Sequence, residues 1–454
     1  MSFELTKPVL ARIYADVAEG RDSAVLALLS ELHASDIGRL IDRLPLEEAV
    51  YVYRLLGQEE SAEVLVELEE DRREDLLASL TSREIADDVG HIDSDDAADL
   101  MADMPEDKQR EVIALIHDAE QREDIQELLT YPEGTAGALM AKELISVHAD
   151  DSVGRAIVDM RQQARGLEHI YTVYVVDREE RLFGILRLQD LLFGAESTRS
   201  IIKDICDTDV VSVEVRTDVE EVVKLMKKYD VVVLPVVDKE NRLVGRITFD
   251  DVMDVMTEEA EEDYQLASGI SEDMDATDSP FVQIRARLPW LLIGLAGGML
   301  SSQIIARFED ELRIDPKMAF FMPLIAATAG NVGIQSSAIV VQGLASGRLD
   351  GVNVLSRLWK EIRVAVVTAS VCSLLILGLN LLLDQSQALT VTVSIALFTT
   401  ILTAASFGTL IPLAMNKLKV DPALATGPFV TTLNDIFGLL TYFTLGHLMY
   451  GFFR

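Results

Sequence analysis

A chain of 454 residues is too long for one compact domain, and its 49% hydrophobic content averages two unlike parts, an acidic soluble-type region up to about Pro280 and an apolar remainder. With 76 Asp and Glu against 40 Lys and Arg, the formal net charge of -36 argues against nucleic acid as a partner and suits a surface that binds cations. Cys206 and Cys372 lie in different regions and imply no disulfide framework, and the opening MSFELTKPVL lacks the basic and apolar stretches of a signal peptide.

From Leu10 to about Tyr131 apolar residues recur at helical spacing, which predicts an acidic all-helical domain over 1–137. HASDIGRLIDRLP (His33 to Pro45) lines up with DSDDAADLMADMP (Asp93 to Pro105), with Leu40 matching Leu100 and Leu44 matching Met104, so stacked helix pairs forming a small solenoid are expected. Asp93, Asp95, Asp96 and Asp99 repel one another at helical spacing unless a cation bridges them; a solvated helix start is the competing reading.

After the Gly-bearing connector YPEGTAGALM (Tyr131 to Met140) the period changes to that of strands. ISVHADDSVGRAIVDM matches VSVEVRTDVEEVVKLM, and YVVDREERLFGILRLQDLL matches PVVDKENRLVGRITFDDVM. This duplication, over 138–202 and 203–253, resembles a tandem CBS pair of α/β fold. The resemblance implies an adenine-nucleotide site such as one for ATP, with Asp190 and Asp251 at the ribose positions. Arg187 stands where the second copy has Thr248, which leaves a structural or dimerising pair as the alternative.

FDDVMDVMTEEAEEDYQLASG (Phe249 to Gly269) continues as an amphipathic acidic helix of roughly 25 to 30 Å, and 254–279 is expected to connect the soluble domains to the membrane. About five spans follow within 280–454, near 288–306, 318–345, 364–383, 388–415 and 424–450. Arg285, Arg287, Arg348, Arg357, Lys360, Arg363, Lys417 and Lys419 fall on the side of the soluble domains, so the positive-inside rule puts those domains in the cytosol and the C-terminus outside.

Two spans carry polar features. In the second, Pro323 and AGNVGIQSS, with Gly330, Asn331, Gly333 and Gln335, are expected to break the helix and turn backbone toward a cavity; small residues for close helix packing are the alternative. The fifth, within DPALATGPFVTTLNDIFG, carries Asp435, a carboxylate whose burial at bilayer depth costs roughly 2.5 to 3.5 kcal/mol. Pro428, Thr431, Thr432, Asp435 and Tyr442 fall on or near one face, so a polar stripe toward a pore is expected, against a structural Asp bonded to neighbouring hydroxyls.

GNVGIQ in one span, DPALATGPFVTTLNDIFG in another, a CBS pair before them and an acidic helical domain first together resemble the MgtE family of magnesium channels. The resemblance implies a homodimer in the lipid bilayer of the cell's inner membrane, with one Mg²⁺ pore on the twofold axis gated by cytosolic Mg²⁺. It makes Asp435 the pore carboxylate, with Gly330, Asn331, Gln335, Ala425 and Thr431 lining the path, and Asp251, Asp254, Glu259, Glu262 and Asp263 the sensor acids of a gating helix. Glu220, Asp230, Asp95 and Asp421 are further expected metal ligands; Ile334 within GNVGIQ departs from members with a polar residue there.

Two Asp435 side chains facing across a dimer axis would hold a largely hydrated ion, with backbone carbonyls near Asn331 and Ala425 completing the shell. A proton-coupled carrier of divalent metals such as Co²⁺ is the rival reading. An anion carrier is disfavoured because the deep charge is negative, and an intramembrane metalloprotease lacks its HExxH site, so no enzyme is expected.

Overall fold

The computed structural model describes residues 7–164, 170, 172–187, 189–191, 197–271, 274, 279–346, 348–349, 353–425 and 427–453. The chain divides into two compact units, Met1–Met256 and Thr257–Arg454.

The first unit opens with ten helices, α1 to α10: Lys7–Ala18, Asp22–Leu29, Ala34–Ile41, Leu46–Leu55, Gln58–Val66, Glu70–Ser79, Ser82–Val89, Ser94–Ala102, Glu106–Leu115 and Ala119–Leu128. Some of the starts are marked in the sequence: Thr81 and Glu84 form a capping box on α7, Asp118 caps α10, and Pro45 and Pro105 immediately precede α4 and α9. The expected stacking is present, with a shorter period. Side-chain bonds from Tyr14 to Arg43, Arg54 to Glu84, Arg73 to Asp103 and Gln121 to Val89 each join positions 29 to 32 residues apart. The match of 33–45 to 93–105 therefore spans two repeats. Its apolar residues Leu40, Leu44, Leu100 and Met104 all lie in one core.

Two three-stranded sheets follow with the same order: β1 (Ile145–His148), β2 (Val173–Val176) and β3 (Leu182–Leu186), then β4 (Val213–Glu214), β5 (Val233–Val237) and β6 (Leu243–Thr248). In each, the first pair is parallel and the second antiparallel, with a register shift at Val175/Val176 and again at Val236/Val237. Helices α11 (Val153–Gln163) and α12 (Val219–Tyr229) supply the crossovers that parallel strands need. Both hairpin turns are built alike: Asp177 accepts from the N–H groups of Glu179 and Arg181, and Asp238 from those of Glu240 and Arg242. The two tips pair with each other, Leu182 N–H donating to the Asn241 carbonyl and Leu243 N–H to that of Glu180.

Helix α13 (Phe249–Ser268) is continuous for 20 residues, about 30 Å, and the unit boundary at Met256 falls inside it. The second unit contains α14 (Pro280–Arg307), short α15 (Glu309–Ile314), α16 (Met322–Ala345), α17 (Val354–Leu382), α18 (Gln387–Lys417) and α19 (Gly427–Phe453). Among the described residues four helices, α14 and α16 to α18, are long and apolar enough to cross a membrane, and α19 is the fifth expected span at 27 residues. α18 sits at the centre, against α16, α17 and α19, with α14 against α19.

Candidate cation path and acidic cluster

The broken second span is corrected by the structure: α16 runs unbroken from Met322 to Ala345. Pro323 lies in its first turn, where no intrahelical N–H bond is lost. Its glycines serve close packing instead. A Cβ on Gly330 would meet Thr431 Cγ2 at 3.1 Å and Asp435 Oδ1 at 3.8 Å, and one on Gly333 would collide with the Asn434 side chain. The carbonyls near Asn331 are thus engaged in the helix ladder and do not complete an ion shell, as they had been expected to. In α19 the irregularity is confined to the start, at the turn Pro422–Ala425 and Gly427.

Asp435 therefore sits at the seam of α16 and α19, half-buried beside Gly330. Thr431 lies one turn before it and donates to the Gly427 carbonyl at 2.9 Å. Tyr442, expected on the open stripe, is fully buried and donates to the Met318 carbonyl. Thr432 packs on Gly297 of α14. Asn331 and Gln335, one turn apart, are exposed on α16 within an otherwise apolar surface. Asp421 is exposed and caps the turn before α19, accepting from Ala423 N–H at 2.7 Å; the side chain of Ala425 lies outside the described residues.

Among the buried polar groups that sequence reasoning missed in this unit are Asn434 and Glu361. Asn434 is 1% exposed, with neither amide atom hydrogen-bonded among the described residues. Glu361, placed before the third span by hydropathy, is an acid more deeply buried than the half-buried Asp435, so Asp435 is not alone.

The start of α19 also meets the end of α13. Gly427 has φ +54°, a conformation in which a side chain is strained, and a Cβ there would collide with the Ala267 carbonyl. Gly269 approaches Pro428 in the same place.

In the first unit the structure brings together acids far apart in sequence. Asp93, Asp95 and Glu143 place carboxylate oxygens within 4.8 Å of one another. Asp95 is pushed well above the usual carboxylate range by burial and then by Asp96, Asp251, Glu143 and Asp93. Asp96 is raised to about 7 by burial and by Asp251, Asp93, Asp99 and Glu143. Asp251 is raised chiefly by burial, even though it accepts from the N–H and hydroxyl of Thr248 at 3.0 and 2.6 Å. Arg246 reaches Asp93 at 3.3 Å, and Ser94 donates to Glu143. Carboxylates outnumber this cation, Asp95 Oδ1 is buried without a hydrogen-bond partner among the described residues, and every carboxylate offers oxygen, so the set fits a hard divalent cation. Of this set Asp95 and Asp251 were expected ligands, Asp93 and Asp96 belonged only to the acidic run that a cation could bridge, and Glu143 lay in a segment without any acidic pattern.

The remaining expected acids are dispersed. Asp254 is raised by partial burial and by Asp251, Asp250 and Glu67. Glu262 is exposed and Asp263 half-buried further along α13; the Glu259 side chain lies outside the described residues. Glu220 pairs with Lys224 at 3.1 Å, and Asp230 is the left-handed C-cap of α12. Asp190 is half-buried after β3, its N–H bonded to the Arg187 carbonyl, while Arg187 pairs with Asp207 at 2.9 Å.

A carboxylate at the seam of a multi-pass helical bundle, carried with a CBS-type pair and an acidic cluster, fits a membrane transporter of cations. The family described as MgtE divalent cation transporter matches residues 322–445, the MgtE intracellular N domain 32–134, and the CBS domain 136–195 and 202–258. The magnesium transporter MgtE of Enterococcus faecalis is 37% identical over 94% of this chain and 94% of its own, and that of Bacillus subtilis is 36% identical over 70% of each. A crystal structure of the cytosolic domain of the Mg²⁺ channel MgtE in complex with ATP is 36% identical, with a TM-score of 0.50 over 54% of this chain and 99% of that one. The chain belongs to the MgtE family of divalent cation transporters, and the expectation that it is not an enzyme accords with that family.

Proposed function

We propose that this chain is a Mg²⁺ channel of the cell membrane that works as a homodimer and is closed by Mg²⁺ bound to its cytosolic acids. The observation that carries the reading is the half-buried Asp435 on a bundle surface that also exposes Asn331 and Gln335. Facing lipid these groups are costly; facing a second copy across a wet path they are not. Mg²⁺ releases its water reluctantly, so paired carboxylates holding a hydrated ion suit it better than a dry cage.

Closure is supported by the cluster of Asp93, Asp95, Asp96, Glu143 and Asp251, whose charges repel until a cation bridges them. Asp251 begins the helix whose far end, at Ala267 and Gly269, packs on Gly427 and Pro428 at the start of α19. A ligand that binds the compact arrangement better shifts the population toward it. Asp230, Glu220, Asp254, Glu259, Glu262 and Asp263 add weaker sites, and Asp190 serves ATP at the CBS pair, a reading supported by the similar cytosolic domain having been solved in complex with ATP. The soluble domains lie in the cytosol and the C-terminus outside.

The test is Mg²⁺ uptake by the purified chain in liposomes, with Mg²⁺ varied on the cytosolic side and Co²⁺ or Ca²⁺ competing. Uptake that cytosolic Mg²⁺ shuts off, and that persists without a pH gradient, is the expected result. Flux that requires the pH gradient would favour the proton-coupled carrier.

A further inference from the structure

Glu361 belongs to neither the seam nor the cytosolic cluster. It lies two turns into α17 and is 8% exposed. Its Oε1 accepts a 2.8 Å hydrogen bond from Ser336 Oγ on α16, and its Oε2 stands 3.8 Å from Arg357 Nη2 on its own helix. A charge so far removed from water is costly unless hydrogen-bonded and paired. An ion pair within one helix could form at the surface, so the bond that explains the burial is the one that crosses to α16.

Ser336 follows Asn331 by five residues, which at 3.6 residues per turn puts it about 140° round the helix. The hydroxyl gripped by Glu361 therefore points away from the exposed pair, about 140° round the helix from Asn331 and about 100° from Gln335, and lies about 9 Å along the axis from Gly330. Beside it Gly408 of α18 closes on the Gly333 carbonyl and on Ser336 Cβ. Glycine contacts alone let a helix turn or slide by small amounts; a charge-assisted bond on the rear face fixes its rotation.

We propose that Glu361 is a positioning residue of the cation path: through Ser336 it sets the rotation of α16, and with it the seam between Gly330 and Asp435. This rests on the reading that Asp435 lines the path. Removal of the grip should loosen the seam and alter how the path handles ions, beyond any effect on stability.

The experiment compares Glu361→Ala, Glu361→Gln and Ser336→Ala in the full-length chain in liposomes, reading Mg²⁺ uptake against Mg²⁺ concentration, Ca²⁺ competition and melting temperature. Glu361→Ala and Ser336→Ala should each shift half-saturating Mg²⁺ or the Mg²⁺/Ca²⁺ discrimination by about tenfold, the scale of one lost charge-assisted bond. Glu361→Gln, which keeps an oxygen for Ser336, should shift them less. Wild-type half-saturation and discrimination in both truncations, with only a lower melting temperature, would overturn the role. Should Glu361→Ala fail to fold, Ser336→Ala decides alone. Asp435→Asn is run beside them: if it carries normal flux, the path itself is misplaced and this role falls with it; if it is inactive while the truncations match wild type, only the role of Glu361 falls.

Discussion

Gly333 and Asn434 show how closely α16 and α19 meet beside Asp435. The amide of Asn434 fills the space a side chain on Gly333 would need. Gly333→Ala should therefore cost about 1 to 3 kcal/mol by overpacking, read as a lower melting temperature in detergent; an unchanged value would mean that the seam has room to spare. Asp435 was legible in the sequence because a lone acid in a long apolar run has few structural excuses. Glu361 was not, because Arg357, Lys360 and Arg363 around it lower local hydropathy and make it look like loop. Asn434 was overlooked for the opposite reason, standing next to a more conspicuous charge.

α13 begins in the first unit and ends in the second. Its first turn carries Asp251 into the acidic cluster, and its last carbonyls pack on the start of α19. Gly427→Ala would place a side chain at φ +54° against the Ala267 carbonyl. The expected outcome is a channel that cytosolic Mg²⁺ closes less completely, at a cost of about 1 to 3 kcal/mol at that contact; unchanged inhibition would sever this helix end from gating. The cluster itself makes a pH prediction. Because Asp95, Asp96 and Asp251 have pKa values raised above 3.8, in one case to about 7, the folded state holds more protons than the unfolded chain between about pH 4 and pH 7. Stability without a divalent cation is thus greatest at the acidic end of that window and falls as pH rises through it. Added Mg²⁺ should raise the melting temperature more at pH 8 than at pH 5, by the equivalent of about 2.7 kcal/mol at a hundredfold excess over its dissociation constant. Asp95→Asn with Asp251→Asn should abolish that difference. The helical spacing of the first domain and the helical continuation after β6 could be read from periodicity; the meeting of Glu143 with Asp95 could not, since it depends on how a loop residue and α8 come together in three dimensions.

For the whole molecule, the order of domains carried most of the information. The helical, strand and apolar stretches each announce themselves by their own spacing, and all three classes of element are present, although the helical repeat is about 30 residues where the matched segments are 60 apart. The misjudged feature was α16, where Gly, Pro and Asn suggested a break and instead allow two helices to touch. The exposure of Asn331 and Gln335 on one copy predicts that a second copy covers them. Asn331→Cys should cross-link between subunits in membranes under oxidation, whereas modification by a lipid-soluble thiol reagent without cross-linking would place that face in lipid. The central claim is more directly accessible. Mg²⁺ uptake into liposomes, followed with an internal Mg²⁺ indicator, should fall by at least about tenfold in Asp435→Asn at unchanged melting temperature, since loss of a half-buried charged ligand costs a cation at least one charge-assisted bond. Wild-type uptake by Asp435→Asn would contradict the account.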